Sequence, residues 1–106
     1  DQAPSGYQLL KIATQGGANV LGRTDIGSLE VGKCADLFLV DSRRLELVGS
    51  CFDPQNMLAT VGLRGPVDYT VVNGRATVRH GRLAAVDEES LAAAANACCR
   101  RYLKFQ

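Results

Sequence analysis

The chain has no tryptophan, a single histidine (His80) and no Cys-x-x-Cys pair. A zinc site wants paired ligands at short loop spacing, usually with histidines, so one histidine makes a poor metallohydrolase. A Ser-His-Asp triad could be built on His80, but no Gly-x-Ser-x-Gly elbow accompanies it. The four cysteines are Cys34, Cys51, Cys98 and Cys99. On a helix the adjacent pair would diverge by about 100°. A disulfide framework is possible in number but not suggested by the spacing, which favours reduced, mostly buried thiols in a cytoplasmic protein. Charge of one sign is also lacking: twelve Lys and Arg against eleven Asp and Glu leave +1, divided as −2 over residues 1–53 and +3 over 54–106. That balance argues against nucleic-acid binding by bulk electrostatics. No apolar run reaches the roughly 20 residues that span a bilayer, and no charged-then-apolar leader opens the chain. With 46% hydrophobic and 22% charged residues over 106 positions, the expectation is one soluble globular domain at most, with no membrane partner.

What is present is well-marked local structure. Ser5 and Gln8 have capping-box spacing behind Pro4, and Leu9, Leu10, Ile12 and Ala13 give an apolar stripe. Gly16-Gly17 predicts a break, since each glycine costs a helix roughly 1 kcal/mol. A second short helix is expected over Ala18–Leu21, with Thr14 as N-cap and Gly22 as its stop. From Ile26 the texture becomes β, with turns at 27–29 and 30–33 and Gly32 free to take positive φ. The run from Cys34 to Asp41 suits a strand buried on both faces, and 43–50 could hold another. Asp53-Pro54 predicts a helix start carrying Met57, Leu58 and Val61.

Asn73-Gly74 between 68–72 and 75–79 is the pair preferred in a two-residue type I′ hairpin, and His80-Gly81 marks a second turn. Asp87 caps a final helix with Glu88 and Glu89 in its first turn and Arg100, Arg101 and Lys104 near its end. Leu91, Ala95, Cys98, Tyr102 and Phe105 fall on one face, as core or interface packing. Three or four short strands are few for a closed sheet, and open sheet edges must pair with something. A missing part is already implied.

The segments Ile12-Ala13-Thr14-Gln15-Gly16-Gly17-Ala18, Ile26-Gly27-Ser28-Leu29 and Ala35-Asp36-Leu37, with 67–75 and 78–83, resemble the C-terminal end of the metal-dependent amidohydrolase superfamily. Within it they look like the cytosine deaminase and triazine chlorohydrolase branch, and the 8-oxoguanine deaminases in texture. The resemblance implies an (α/β)8-barrel enzyme with a composite β-sandwich. This chain would be its C-terminal fragment, α+β, a partial sandwich with an Asn-Gly hairpin and peripheral helices. Residues 1–22 would be the remnant of the last barrel helices. Residues 23–86 would be sandwich strands with a short helix inserted near 54–63, and 87–106 an amphipathic closing helix.

The resemblance further implies hydrolytic deamination of a purine- or triazine-like ring, assisted by a divalent zinc or iron ion. The family's ligands are a His-x-His pair, two more histidines and an aspartate, all on barrel strands. None of those motifs occurs here: His80 matches no ligand position, and Asp1 lacks a flanking strand motif. No catalytic, cofactor-binding or metal-binding residue is therefore assigned, and the chain alone is expected to be inactive.

The remaining chemistry-bearing side chains have plain readings. Asp36 suits a strand-end hydrogen bond, His80 an exposed turn, and Arg75, Arg79 and Arg82 a solvated face rather than an anion site. The implied partner is the barrel portion of the parent, supplied in one chain or as a separate polypeptide. The alternative is a standalone β-module with a binding or assembly role, completed by self-association as a homo-oligomer. In a self-sufficient module the helix at 5–22 must pack onto its own sheet; in a split enzyme it stays exposed.

Overall fold

The computed structural model describes residues 3–103; Asp1, Lys104 and Phe105 lie outside them. The chain opens with α1 (Gly6–Lys11), a π turn (Ile12–Gly16) and α2 (Gly17–Val20). Ser5 Oγ accepts from Gln8 N and Gln8 Oε1 accepts from Ser5 N, so both halves of the capping box form. The expected break at Gly16-Gly17 does not occur. Both glycines keep right-handed helical angles, and Gly17 N reaches Ile12 O across the wider turn. Thr14 is not a cap; its hydroxyl donates to Leu10 O within the same helix. At the far end Gly22 takes φ +65° and Arg23 N donates back to Ala18 O, which closes the helix in a Schellman-type stop.

One antiparallel sheet follows, in the order β1-β2-β3-β4: β1 (Leu37–Leu39), β2 (Tyr69–Val72), β3 (Arg75–Arg79) and β4 (Arg82–Leu83). Asn73 (φ 47°) and Gly74 (φ 78°) connect β2 to β3, and Val72 faces Arg75 across the turn. His80 (φ 50°) and Gly81 (φ 74°) connect β3 to β4 in the same left-handed sense. Ala76 and Val78 are partly covered while Arg75, Thr77 and Arg79 are exposed, as period-two alternation requires.

Three sequence expectations fail here. The strand at 37–39 lies at a sheet edge, and Phe38 and Leu39 are 47% and 54% exposed. Residues 43–50 form no strand. Leu45–Leu47 is a 3-10 turn, and Gly49 at φ +86° breaks extension before a second such turn, Ser50–Phe52. Asp53 is not the cap of α3 (Met57–Thr60); Asn56 Nδ2 donates to its carboxylate, and the helix starts beyond that turn.

The core is small. Among the described residues only Ala18, Leu47 and Ser50 are buried. The radius of gyration is 18.1 Å, against about 13 Å for a compact chain of this length. Accessible surface totals 8620 Å², whereas a folded monomer of 11.3 kDa exposes about 5,700 Å². Roughly 2,900 Å² is therefore in excess. The secondary-structure elements are formed, but little of their surface is covered.

α1 packs on α3. A side chain at Gly6 would collide with Asn56 and Ala59, and Tyr7 N donates to Asn56 Oδ1 at 3.1 Å. Gly27 sits equally close to the helix: a Cβ there would lie 2.8 Å from Ala18 Cβ and 3.1 Å from Thr14 O. The final helix α4 (Glu88–Leu103) is capped by Asp87, whose carboxylate accepts from Glu89 N, Ser90 N and Ser90 Oγ. Every residue from Glu89 to Leu103 is exposed.

Candidate functional site

The side chains able to do chemistry are dispersed, and several are held by structural partners. His80 is exposed in its turn, with Nε2 2.8 Å from Tyr69 Oη and the two rings edge to face at 5.0 Å. Asp36 Oδ1 accepts from Asn73 N at 2.7 Å, and Gly74 N donates to Ala35 O at 3.0 Å. Both bonds pin the β2–β3 turn to the start of β1, which is the strand-end role its position suggests. Arg82 faces Glu88 at 3.4 Å and Glu89 at 3.8 Å. It is thus occupied at the root of α4, while Arg75 and Arg79 stand exposed on β3.

Two polar clusters were not foreseen. In the first, Asp68 Oδ2 accepts from Asp41 N at 2.6 Å and Oδ1 from Arg44 Nη2 at 3.0 Å. The backbone N–H of Asp41 is the main reason the Asp68 carboxyl stays below its usual range. Asp41 in turn is lowered to about 2 by the side chain of Arg43. This knot ties the end of β1 to the start of β2. A carboxylate at each strand end was the available signal.

In the second cluster, Arg23 holds Asp25 at 2.6 Å and Cys34 Sγ donates to Asp25 Oδ2 at 3.4 Å. Asp25 is held well below the carboxylate range, chiefly by the Arg23 side chain. The thiol of Cys34 is pushed up, first by that hydrogen bond, so it stays protonated and is a poor nucleophile. All four cysteines are free, and Cys51, Cys98 and Cys99 are exposed. The expectation of buried thiols is wrong for these three because nothing covers the elements that carry them.

A shallow groove of about 760 Å³ runs along β3 and the β4–α4 connection, past Arg75, Thr77, Arg79, Leu83, Ala85 and Val86. No carboxylate, histidine or cysteine lines it, so it holds neither an acid–base pair nor a ligand set. Among the described residues no three His, Cys, Asp or Glu side chains come together as a metal ion requires. The described residues do not fit a divalent metal. None of the described helices is long and apolar enough to cross a membrane.

Comparison with known proteins places these elements. Hydroxydechloroatrazine ethylaminohydrolase of a Pseudomonas species is 47% identical over 100 residues, covering 94% of this chain but 21% of that protein. A 5-methylthioadenosine/S-adenosylhomocysteine deaminase of Desulforudis audaxviator is 37% identical over 102 residues, covering 95% and 23% respectively. The chain thus spans about a fifth of the length of these relatives. Zinc-bound atrazine chlorohydrolase TrzN from Arthrobacter aurescens superposes with TM-score 0.79 at 36% identity, over 88% of this chain and 20% of that one. A zinc-bound adenosine deaminase from Xanthomonas campestris gives 0.74 at 31%, over 95% and 23%. The Amidohydrolase family pattern matches residues 2–77, which takes in the helix, the turns that follow it and the first two strands. With the fold and the sequence in agreement over most of its length, the chain belongs to the amidohydrolase family.

Proposed function

We propose that this chain is the C-terminal segment of a metal-dependent amidohydrolase, and that by itself it does not carry the reaction. The parent reaction is hydrolytic deamination of a purine- or triazine-like heterocycle. Residues 1–22 are the end of the barrel, 23–86 the sandwich strands and 87–106 the closing helix. One observation carries the reading: the elements are well formed and match zinc enzymes five times longer, yet about 2,900 Å² of surface lacks cover. The role left to this chain is to supply strands and apolar faces against which the metal-bearing portion packs.

A standalone β-module, closed by its own copies, is favoured by the free β1 edge. It is disfavoured by the first helix. That helix packs on α3 and leaves Leu9, Ile12, Val20 and Leu21 exposed instead of burying them on its own sheet.

Ammonia release tests the proposal. The 106-residue chain is assayed on aminotriazines and adenosine-type substrates with zinc added, alone and co-expressed with the Pseudomonas relative's chain lacking its matching segment. No turnover alone and turnover on co-expression is expected. Turnover by the chain alone, or failure of the two to co-purify, would overturn it.

A further inference from the structure

We propose that Asn73 is a self-modifying residue, its side-chain amide converted to aspartate or isoaspartate by the Gly74 nitrogen, and that the start of β1 holds this reaction in check. The Gly74 nitrogen gives up its proton to solvent and bonds to Asn73 Cγ. The bond from Cγ to the side-chain nitrogen breaks, ammonia leaves with a proton regained from solvent, and a five-membered succinimide ring remains. Water then opens the ring. Cleavage between Cγ and Gly74 N gives aspartate; cleavage between the main-chain carbonyl carbon and Gly74 N gives isoaspartate, with the chain running through Cβ and Cγ. One water enters, one ammonia leaves, and nothing is oxidised or reduced.

The sequence and the surface single out this position. Of the asparagines, Asn19, Asn56 and Asn96 precede valine, methionine and alanine, and Asn73 alone precedes glycine. A side chain on the attacking residue crowds the approach to Cγ, and glycine has none. Asn73 and Gly74 are both exposed, and nothing lies within 4 Å of where a Cβ on Gly74 would stand. The groups around the attacking atom act the other way. Gly74 N donates to Ala35 O at 3.0 Å, and Asn73 N donates to Asp36 Oδ1 at 2.7 Å. An engaged N–H keeps the proton that the reaction must remove. Asn73 at φ 47° and Gly74 at φ 78° lie in the left-handed region. To close the ring, Gly74 N must swing about the Asn73 Cα–C bond onto Cγ and leave Ala35 O. The reaction therefore runs through an opened turn, and its rate follows the open fraction. Asp36, thirty-seven positions upstream, thus helps to set the rate at Asn73. Aspartate suits such a turn, whereas isoaspartate lengthens the main chain of a two-residue loop that sets the register of β2 on β3. The proposal stands apart from the functional reading above.

Peptide mass mapping of the 106-residue chain after incubation in mildly alkaline buffer, folded and in urea, provides the test. Enzymatic methylation of isoaspartate is the second readout, and circular dichroism confirms the folded state. Conversion is expected at Asn73 ahead of the other asparagines, and about tenfold or more faster in urea than in the folded chain. Asp36→Ala removes the acceptor of Asn73 N and is expected to speed conversion in the folded chain by about fivefold. Asp36→Asn keeps an acceptor oxygen and is expected to stay near the wild-type rate. Equal rates in the folded and unfolded wild type, no conversion at Asn73 in urea, or faster conversion at another asparagine would each overturn the proposal. So would an Asp36→Ala chain that keeps its helical signal and converts no faster than wild type. The wild-type comparison decides the matter even where Asp36→Ala loses its fold.

Discussion

Gly27 and Gly32 offer a controlled comparison of two sources of strain. Both adopt φ +89°, so alanine at either meets the same left-handed backbone penalty, about 1–2 kcal/mol. Their surroundings differ. At Gly32 nothing lies within 4 Å of the added methyl, whereas at Gly27 it would stand 2.8 Å from Ala18 Cβ, 3.1 Å from Thr14 O and 3.2 Å from Gln15 Cα. Two of those three atoms are backbone, and the third is the methyl of a buried alanine. None can swing aside as the end of a long side chain would. Overpacking of that kind adds about 1–3 kcal/mol. Gly27→Ala should therefore destabilise by about 2–5 kcal/mol and Gly32→Ala by about 1–2. Urea denaturation followed by circular dichroism measures both, provided the slope is unchanged. Equal losses at the two positions would refute the argument, because the shared φ would then account for everything and the contact with the helix for nothing.

Other outcomes follow from single contacts. Ser50 Oγ is buried without a hydrogen-bond partner, so Ser50→Ala should raise stability by about 1 kcal/mol in the same assay. Ser5→Ala removes the side-chain half of the capping box and should cost about 1 kcal/mol, with loss of helical signal from the first turns. Asp41, Asp68 and Asp87 all have carboxyls lowered in the folded chain, by Arg43, by the Asp41 backbone N–H and by the Ser90 side chain respectively. Their stabilisation is present above the unfolded value of about 3.9 and fades as pH falls through the folded values, toward about 2 for Asp41. Melting temperature should drop between pH 5 and pH 2, and Asp68→Asn should show a shallower drop. An equally steep profile in that variant would remove Asp68 from the account.

What could be read from the sequence was whatever a few neighbouring residues decide. Ser5 with Gln8 forms its capping box, Asp87 caps α4, and Asn73-Gly74 turns in the left-handed region, because each depends on groups within a few bonds. Burial was illegible, since it depends on what lies across from a residue. The run Leu37-Phe38-Leu39 has the apolar continuity of an interior strand, yet it stands at an open edge. The apolar stripe on α4 and the thiols of Cys98 and Cys99 met no covering layer for the same reason. Residues 43–50 failed differently. Gly49 takes a positive φ and Leu47 turns inward to 1% exposure, so that segment wraps where an extended strand was expected. The strand-end hydrogen bond of Asp36 was legible, because the residue stands directly before the apolar run that becomes β1. The Asp41–Asp68–Arg44 knot was not, because its partners lie more than twenty residues apart in sequence.

The π turn at Ile12–Gly16 behaves as a phase shifter within the first helix. One additional residue is accommodated in a single turn, so every side chain beyond it is rotated by about 100° relative to a regular continuation. That rotation brings the methyl of Ala18 onto Gly27, where only a glycine leaves room for it. Regular α geometry over the same residues would turn Ala18 away and present Gly17 in its place, whereas deleting Gly16 would restore α geometry and leave Ala18 facing Gly27. The π turn and the bare glycine thus act on the same contact: the first sets the phase that aims Ala18, and the second leaves room for its methyl.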